Sequence, residues 1–449
     1  MPVDFSIKDF FYPIALIKMR RFLEKSQWYS SDQLESYQIN RLREILSLAY
    51  EHIPYYRQVF SDNGIHPDDI TEIDQLKRLP VLTKDIVRRE YRRLQSPFAE
   101  KLHAKAYCTS GSTGAPVSFL LDKPANILEF CYYWRHWSWA GYRLGARFGE
   151  FTCGFFIKHE HNKNDIAYFS RLTGRLQLNS LMLGEHTVLK IAERIRSYSI
   201  RFLNGLASTL YYFALLCKKA RITDISFCAV FSQGEMLLPA YRSLIESTFH
   251  CKVYDSYGHM ERTVAISECP DGGYHINSEY GILEVIRDES HSGENATGGI
   301  AVGTSLHNFS MPLIRYVIND RIELDASNSP CSCGRGLPLI KKLYGRNEDV
   351  IITPDGRFVT DIFTVFESFS GIELARIEQT DARRVLVSLA CSNNWSNSTE
   401  YSLRRVLEKY LGAEMRVDII YTDAQSLRGT CANKFKMVVS HLNVKSEGL

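Results

Sequence analysis

The sequence predicts an α/β protein: a large N-terminal part built on parallel-sheet crossovers with a β-rich subdomain, and a small α+β C-terminal part. Three patterns carry that expectation. Residues 227–231 read as a buried strand, 238–249 as a helix and 252–254 as a second strand, which makes a strand-helix-strand crossover. Such a crossover implies a parallel sheet whose ligands gather where the carboxyl ends of the strands open into loops. Residues 281–324 are strand-rich with glycine-containing turns. After Gly345-Arg346 the pattern becomes strand, helix, strand, strand, helix, strand over 350–353, 361–370, 374–379, 385–390, 401–411 and 417–421, enough for a compact unit of its own.

Ahead of these, residues 1–100 read as a helical preface. Leu42, Ile45, Leu46 and Ala49 share one helical face, and an extended link runs through Leu79-Pro80-Val81. A later aromatic stripe, Phe130, Tyr133, Trp134 and Trp137, also falls on one helical face and serves either as core or as a pocket wall. The expected division is a 1–346 part and a 347–449 part, with the boundary near Glu348.

Composition narrows the function. Lys and Arg total 54 against 51 Asp and Glu, a formal charge of +3 that is too small and too scattered for a nucleic-acid binder. The one early apolar run, 10–17, contains Pro13 and falls short of the roughly 20 residues that span a bilayer. Lys18, Arg20 and Arg21 follow that run, whereas a secretory signal would place its basic residues in front, so a cytoplasmic enzyme is expected. Packing of the run against the protein is favoured over a membrane-surface role. Eleven cysteines, an odd number, argue for reduced thiols over a disulfide framework.

The sharpest local signal is Thr109-Ser110-Gly111-Ser112-Thr113-Gly114: hydroxyls on a backbone that two glycines allow to approach an oxyanion such as phosphate closely. It lacks the lysine of a Walker A loop. Gln233-Gly234-Glu235 ends the first crossover strand, and Tyr254-Asp255-Ser256-Tyr257-Gly258-His259-Met260-Glu261 ends the second. Tyr257 suits stacking on a purine, and Glu261 suits holding Mg²⁺ against phosphate oxygens. Within Arg315-Tyr316-Val317-Ile318-Asn319-Asp320, the acid stands just past a strand, where its oxygens can accept both ribose hydroxyls. Gly345-Arg346-Asn347-Glu348-Asp349 places an arginine at the domain boundary.

A second constellation is Cys269-Pro270-Asp271-Gly272-Gly273-Tyr274-His275 with Cys331-Ser332-Cys333. Three thiolates and an imidazole, Cys269, His275, Cys331 and Cys333, are the ligand set of a closed, structural tetrahedral Zn²⁺ site.

The ordered set of nucleotide-type motifs resembles the acyl-adenylate-forming superfamily, and within it the phenylacetate-CoA ligase and CapK-like branch. The likeness runs from about Asp32 to Ser440 and includes Tyr55-Tyr56-Arg57 and Leu79-Pro80-Val81-Leu82-Thr83-Lys84. It implies ATP-dependent formation of an acyl-AMP from a carboxylic acid, release of pyrophosphate, then acyl transfer. On that resemblance Thr109 to Gly114 wrap the ATP phosphates, and Gly234 and Glu235 line the adenine. The same likeness assigns nucleotide contacts to the segment Asp255, Ser256, Tyr257 and Gly258, with Tyr257 stacking. Glu261 matches the Mg²⁺ acid, Asp320 the ribose acid, Arg346 a second ribose or phosphate contact, and Glu348 the hinge of a mobile C-terminal domain. Lys434, in Arg428-Gly429-Thr430-Cys431-Ala432-Asn433-Lys434-Phe435-Lys436, matches the late lysine that neutralises the attacking carboxylate and leaving pyrophosphate. Ala432-Asn433 departs from the usual Ser-Gly before it, which leaves Lys436 as the lesser candidate. Some members of the branch hold a structural zinc in the arrangement seen here.

The acceptor is either CoA or an amine. Thr353-Pro354-Asp355-Gly356-Arg357-Phe358 departs from the turn of the branch's CoA ligases and looks more like the CapK-like members, which are associated with surface polysaccharide synthesis. A homodimer is compatible with all of this. The rival reading is a catalytically inactive, zinc-stabilised nucleotide-binding regulator or scaffold.

Overall fold

The computed structural model describes residues 13–108, 116–152, 165–286, 298–345 and 351–442, except 238, 328, 356–357, 360–361, 363–364, 367, 393, 424–425 and 428–437. Thr109 to Gly114, Arg346, Glu348, Lys434 and Lys436 therefore lie outside the described residues, as do residues 10–12 of the early apolar run.

Four helices open the chain: α1 (Pro13–Ser26), α2 (Ser31–His52), α3 (Pro54–Asp62) and α4 (Lys84–Arg89). A capping box starts α2: the Ser30 hydroxyl accepts from the Gln33 N–H at 3.3 Å, and the Gln33 side chain accepts from the Ser30 N–H at 3.1 Å. Its stripe of Leu42, Ile45, Leu46 and Ala49 is buried, as the 3.6-residue spacing predicts. Fully burying each of the larger of these side chains contributes about 1.5–3 kcal/mol.

Next come β1 (Lys105–Cys108) and β2 (Ser118–Leu121), which pair antiparallel, then α5 (Lys123–Trp139). The Asp122 carboxylate caps α5 by accepting from the Ala125 N–H at 3.0 Å, and it also accepts from the N–H groups of Phe309 and Ser310 at 2.6 and 3.0 Å.

The central sheet draws on β3 (Phe148–Thr152), β4 (Ala167–Ser170), β5 (Arg175–Asn179), β6 (Phe202–Leu206), β7 (Ala229–Gln233), β8 (Lys252–Gly258), β9 (Ala265–Glu268), β10 (Tyr274–Ile276), β11 (Gly281–Ile286), β12 (Gly298–Ser305), β13 (Tyr316–Leu324) and β14 (Leu339–Gly345). These twelve strands run in the order β11-β12-β13-β14-β10-β9-β8-β7-β6-β3-β5-β4. The block β5-β3-β6-β7-β8 is parallel, and every other pairing is antiparallel.

Helices α6 (Val188–Ser197), α7 (Ala207–Lys219) and α8 (Pro239–Phe249) supply the crossovers of that block. They pack on the face bearing Phe151, Leu176, Leu203, Val230 and Val253. The opposite face, with Phe148, Phe202, Phe231 and Tyr254, packs on Trp137 of α5, with Tyr133 and Trp134 alongside. The aromatic stripe is thus core at Trp137 and half-buried at Tyr133 and Trp134. The first crossover strand starts and ends two residues later than expected, because its pairing with β6 carries on to Leu206 opposite Gln233.

At its antiparallel end the sheet curls. Tyr257 on β8 and Asp320 on β13 lie four strands apart, about 19 Å in a flat sheet at the usual spacing, yet their side chains are hydrogen-bonded at 2.7 Å. The helical preface packs here, with Leu42, Tyr56, Leu79 and Leu82 joining Ile282, Ile314, Tyr316 and Ile322 in one core. Leu82 forms a parallel bridge to Tyr316, through its N–H to the Arg315 carbonyl at 2.8 Å and its own carbonyl from the Val317 N–H at 3.0 Å.

The remaining strands are β15 (Ile351–Ile352), β16 (Phe358–Val359), β17 (Ile372–Asp381), β18 (Arg384–Cys391), β19 (Arg416–Tyr421) and β20 (Val438–Ser440), with helix α9 (Asn397–Leu411) between β18 and β19. A four-stranded sheet runs β19-β18-β17-β20, and the core it forms with α9 draws on residues from Ile351 to Val438 alone. The expected strands and the helix over 401–411 are present, while of the expected helix over 361–370 four residues lie outside the described ones and only Val365 and Phe366 among the rest are helical. This unit touches the large sheet's helices through the Tyr212 hydroxyl of α7, which donates to the Asp355 carboxylate at 3.0 Å.

Candidate functional site

The parallel strands β7 and β8 end side by side, Ser232 opposite Asp255 and Gln233 opposite Ser256, so their carboxyl-terminal loops are neighbours. Gly234 leaves β7 at φ +78°, and a Cβ there would sit 2.9 Å from Leu206 Cδ2, so the tight exit requires glycine. Next to it on β8, the Ser256 hydroxyl donates to the Ser232 carbonyl at 3.1 Å, which ties the two strand ends together.

Beyond β8 the chain turns through His259 to Thr263 and is laid across two glycines. A Cβ on Gly281 would lie 1.9 Å from the Thr263 carbonyl oxygen, and one on Gly303 would lie 2.0 Å from Thr263 Oγ1. Only bare backbone at both positions lets this turn approach, and the turn carries Glu261. The Glu261 side chain is buried at 3% exposure and accepts from the Tyr316 hydroxyl at 2.6 Å. Four residues along β13, Asp320 is buried at 6% exposure and accepts from the Tyr257 hydroxyl. Curling of the sheet thus brings Tyr257, Glu261, Tyr316 and Asp320 to the end of the parallel block where Gly234 and Glu235 stand.

Behind β8 lies a buried ionic network. Glu268 accepts from Arg242 at 2.7 Å and from the Asp255 N–H at 2.8 Å, and the Tyr274 hydroxyl donates to Asp255 at 3.1 Å. Burial, with Glu268 adding negative charge beside it, raises the Asp255 carboxyl to about 7. Asp255 is therefore held inside the protein, 5% exposed, and underpins the segment that ends in Tyr257.

The same network adjoins the cysteine cluster through Glu268 and Tyr274, the sequence neighbours of Cys269 and His275. The ligand atoms of Cys269, His275, Cys331 and Cys333 all fall within 4.8 Å of one another. The Sγ atoms of Cys269 and Cys331 are 3.7 Å apart, against about 3.8 Å for two thiolates on a tetrahedral zinc with Zn–S near 2.3 Å. Cys333 Sγ lies 3.2 Å from His275 Nε2. His275 Nδ1 lies 2.8 Å from the Leu337 carbonyl, so its N–H donates there and Nε2 is left as the metal-facing atom. The donor set and its spacing fit a closed Zn²⁺ site.

No family model matches the chain. Protein CapK of Staphylococcus aureus is 22% identical over 367 residues, covering 80% of this chain and 78% of that protein. The phenylacetate-coenzyme A ligase of Aromatoleum evansii is 24% identical over 352 residues, 74% of each chain. Among solved structures, 2-hydroxyisobutyryl-CoA ligase in the postadenylation state, in complex with R3-HIB-AMP, superimposes with a TM-score of 0.58 at 17% identity, covering 93% of this chain and 91% of that one. The same enzyme with 2-HIB-AMP and CoA in the thioesterification state also gives a TM-score of 0.58. In sequence the chain is thus similar to CapK and to phenylacetate-CoA ligases, and in fold to an acyl-CoA ligase. The fold is that of its acyl-CoA ligase neighbours, with a mixed sheet containing parallel strands and a second, smaller sheet.

In this fold Gly234, Glu235, Asp255, Ser256, Tyr257, Gly258, Glu261 and Asp320 occupy one region, Asp255 from beneath it. Asp320 stands within β13 and not just past a strand as expected, because β13 runs on to Leu324 to pair with β14, and it is buried and not a surface ion-pair residue. Two groups escaped the sequence reading. Tyr316, the partner of Glu261, looks like any core tyrosine until the sheet's curl is known. Glu150, on β3, is marked only by being an acid in the apolar run Phe148-Gly149-Glu150-Phe151.

Proposed function

We propose that the protein activates a carboxylic acid with ATP, forming an acyl-AMP and pyrophosphate, and then transfers the acyl group to CoA or to an amine. The observation that supports this best is the meeting of Tyr257, Glu261 and Asp320 at the carboxyl ends of parallel strands, beside the Gly234-Glu235 exit. In this reading Tyr257 stacks on adenine, and Asp320, oriented by the Tyr257 hydroxyl, accepts from the ribose hydroxyls. Gly234 and Glu235 border the base, and Thr109, Ser110, Gly111, Ser112, Thr113 and Gly114 wrap the phosphates. Glu261, steadied by Tyr316, holds Mg²⁺, which supplies charge neutralisation at the phosphates. Arg346 contacts ribose or phosphate, and Lys434 brings a positive charge to the attacking carboxylate as pyrophosphate leaves. The acid's oxygen attacks the α-phosphorus in line, so positioning and electrostatics carry the first step.

The division near Glu348, with the 347–449 part rotating between the two steps, belongs to the same proposal. Zinc on Cys269, His275, Cys331 and Cys333 is structural and keeps β9 and β10 behind β8.

Acid-dependent pyrophosphate release, measured with CoA and amines offered separately, tests the reading and separates the acceptors. Lys434→Ala is expected to lower exchange at least a hundredfold; an unchanged rate refutes the assignment of that lysine.

A further inference from the structure

The parallel block carries a second polar group, one residue from each of three strands, on the face that packs against α5. Glu150 of β3 stands in register with Gln177 of β5 on one side and Asn204 of β6 on the other. Two residues earlier on β3 and β6, Phe148 and Phe202 point to the same face and pack in the cluster that contains Trp137. Glu150 lies close enough to Tyr133 of α5 to disfavour ionisation of its phenol. Glu150, Gln177 and Asn204 are each the third residue of a five-residue strand, so the group lies midway along the block beside Tyr133, and Asn204 is level with Phe231, two residues short of Gln233 and the Gly234-Glu235 exit.

Glu150 is 7% exposed and Asn204 is 2% exposed. The Asn204 and Gln177 amide nitrogens donate to the two Glu150 oxygens at 3.3 and 3.4 Å. Neither amide can be turned round, because that would set its carbonyl oxygen against a carboxylate. Both amide oxygens consequently face away from Glu150, and both are buried with no donor among the described residues. A buried amide oxygen without a donor is costly, and two beside one acid make a floor that only accepts hydrogen bonds. Arg175, 3.6 Å from Glu150 and 5.2 Å over the Trp137 ring, already balances the carboxylate's charge. The missing partner is therefore a neutral donor and not a cation.

We propose that this floor receives a hydroxyl or uncharged amino group at the far end of the carboxylic acid, so that the acid activated is an aromatic one bearing such a donor. The proposal rests on the adenylate-forming reading for its setting: an acid whose carboxylate reaches a nucleotide at the ends of the parallel strands runs its far end down this face, towards the middle of the strands. A site built to hydrogen-bond a substrate hydroxyl rejects the analogue that lacks it far more strongly than an apolar pocket rejects an extra group.

The test compares hydroxy-, amino- and methyl-substituted benzoates and phenylacetates on the full chain. Two readouts are used: acid-dependent pyrophosphate release and the thermal shift each acid produces in the presence of AMP. Asn204→Leu is the first variant, and Gln177→Met is the second should the first not fold. The expected result is kcat/KM at least tenfold higher for the donor-bearing acids than for their methyl counterparts, with that ratio falling at least tenfold in the variant. Equal kcat/KM for hydroxyl and methyl acids, or a ratio unchanged in a folded variant, overturns the subsite and leaves adenylation standing. A donor-selective thermal shift that the variant abolishes, with no acid releasing pyrophosphate, upholds the subsite and removes adenylation. Neither turnover nor a donor-selective shift overturns both.

Discussion

Removing the Tyr257 hydroxyl takes from Asp320 a donor at 2.7 Å and leaves a buried carboxylate short of one partner. A hydrogen bond to a charged group contributes about 1.5–3 kcal/mol, so Tyr257→Phe is expected to raise KM for ATP by roughly tenfold or more. On this account kcat changes less, and pyrophosphate exchange at varied ATP reads the split. Asp320 was legible in the sequence through its Arg-Tyr-x-x-x-Asp spacing, although it stands within β13 and not just past a strand as expected. Its partner was not legible, because the contact crosses four strands and 63 residues. Glu150 was missed for a related reason: its role depends on Gln177 and Asn204, which sequence alone cannot place on either side of it.

Among the elements, the turn from His259 to Thr263 rests on Gly281 and Gly303 with no room for a methyl group. Gly303→Ala must push that turn and Glu261 outward, so an overpacking cost of about 1–3 kcal/mol is expected, with loss of Mg²⁺-dependent exchange. A melting curve and an activity assay on the same sample check both effects. The Cys269, His275, Cys331 and Cys333 cluster acts at this scale too, bringing the 269–275 hairpin to the 331–333 turn. Elemental analysis is expected to find about one equivalent of zinc in the protein, and Cys333→Ala is expected to lose it and to lower the melting temperature by roughly 5 °C or more. Period-based reading located these elements to within a few residues: the crossover helix to one residue, and Asn397–Leu411 with only its first turn missed. That first turn is Asn, Ser, Thr and Glu after the Ser396 cap, polar residues that carry no apolar period. The two-residue strand β16 and the three-residue β20 are too short to show any period, whereas β15 falls inside the expected strand over 350–353.

For the molecule as a whole, acid is the expected weakness. His307 is buried between the Tyr37 hydroxyl and the Glu279 carbonyl, and burial, with the Arg41 charge nearby, lowers its pKa to about 4. His136 is lowered to about 3, again chiefly by burial. Both are depressed in the folded state, so the stability linked to them is present above the unfolded value of about 6.5 and is lost as pH falls towards 4 and 3. Urea unfolding at pH 7, 5.5 and 4.5 is expected to show a loss of roughly 1.4 kcal/mol per pH unit per histidine at the steepest, and His307→Gln is expected to flatten part of that slope. The helical preface and the crossover were readable because they follow from local periods, whereas the curl that closes the site follows from glycines and long-range pairs. Those long-range pairs also set an order of events during synthesis. Gln38 bonds the Gly281 carbonyl, Arg41 the Leu306 carbonyl, Tyr56 the Pro312 carbonyl, and Leu82 the backbone of Arg315. These helices therefore leave the ribosome some 230 to 270 residues ahead of their docking surface, with Leu42, Ile45 and Leu46 uncovered meanwhile, so nascent chains stalled before that point should be the ones that chaperones hold longest.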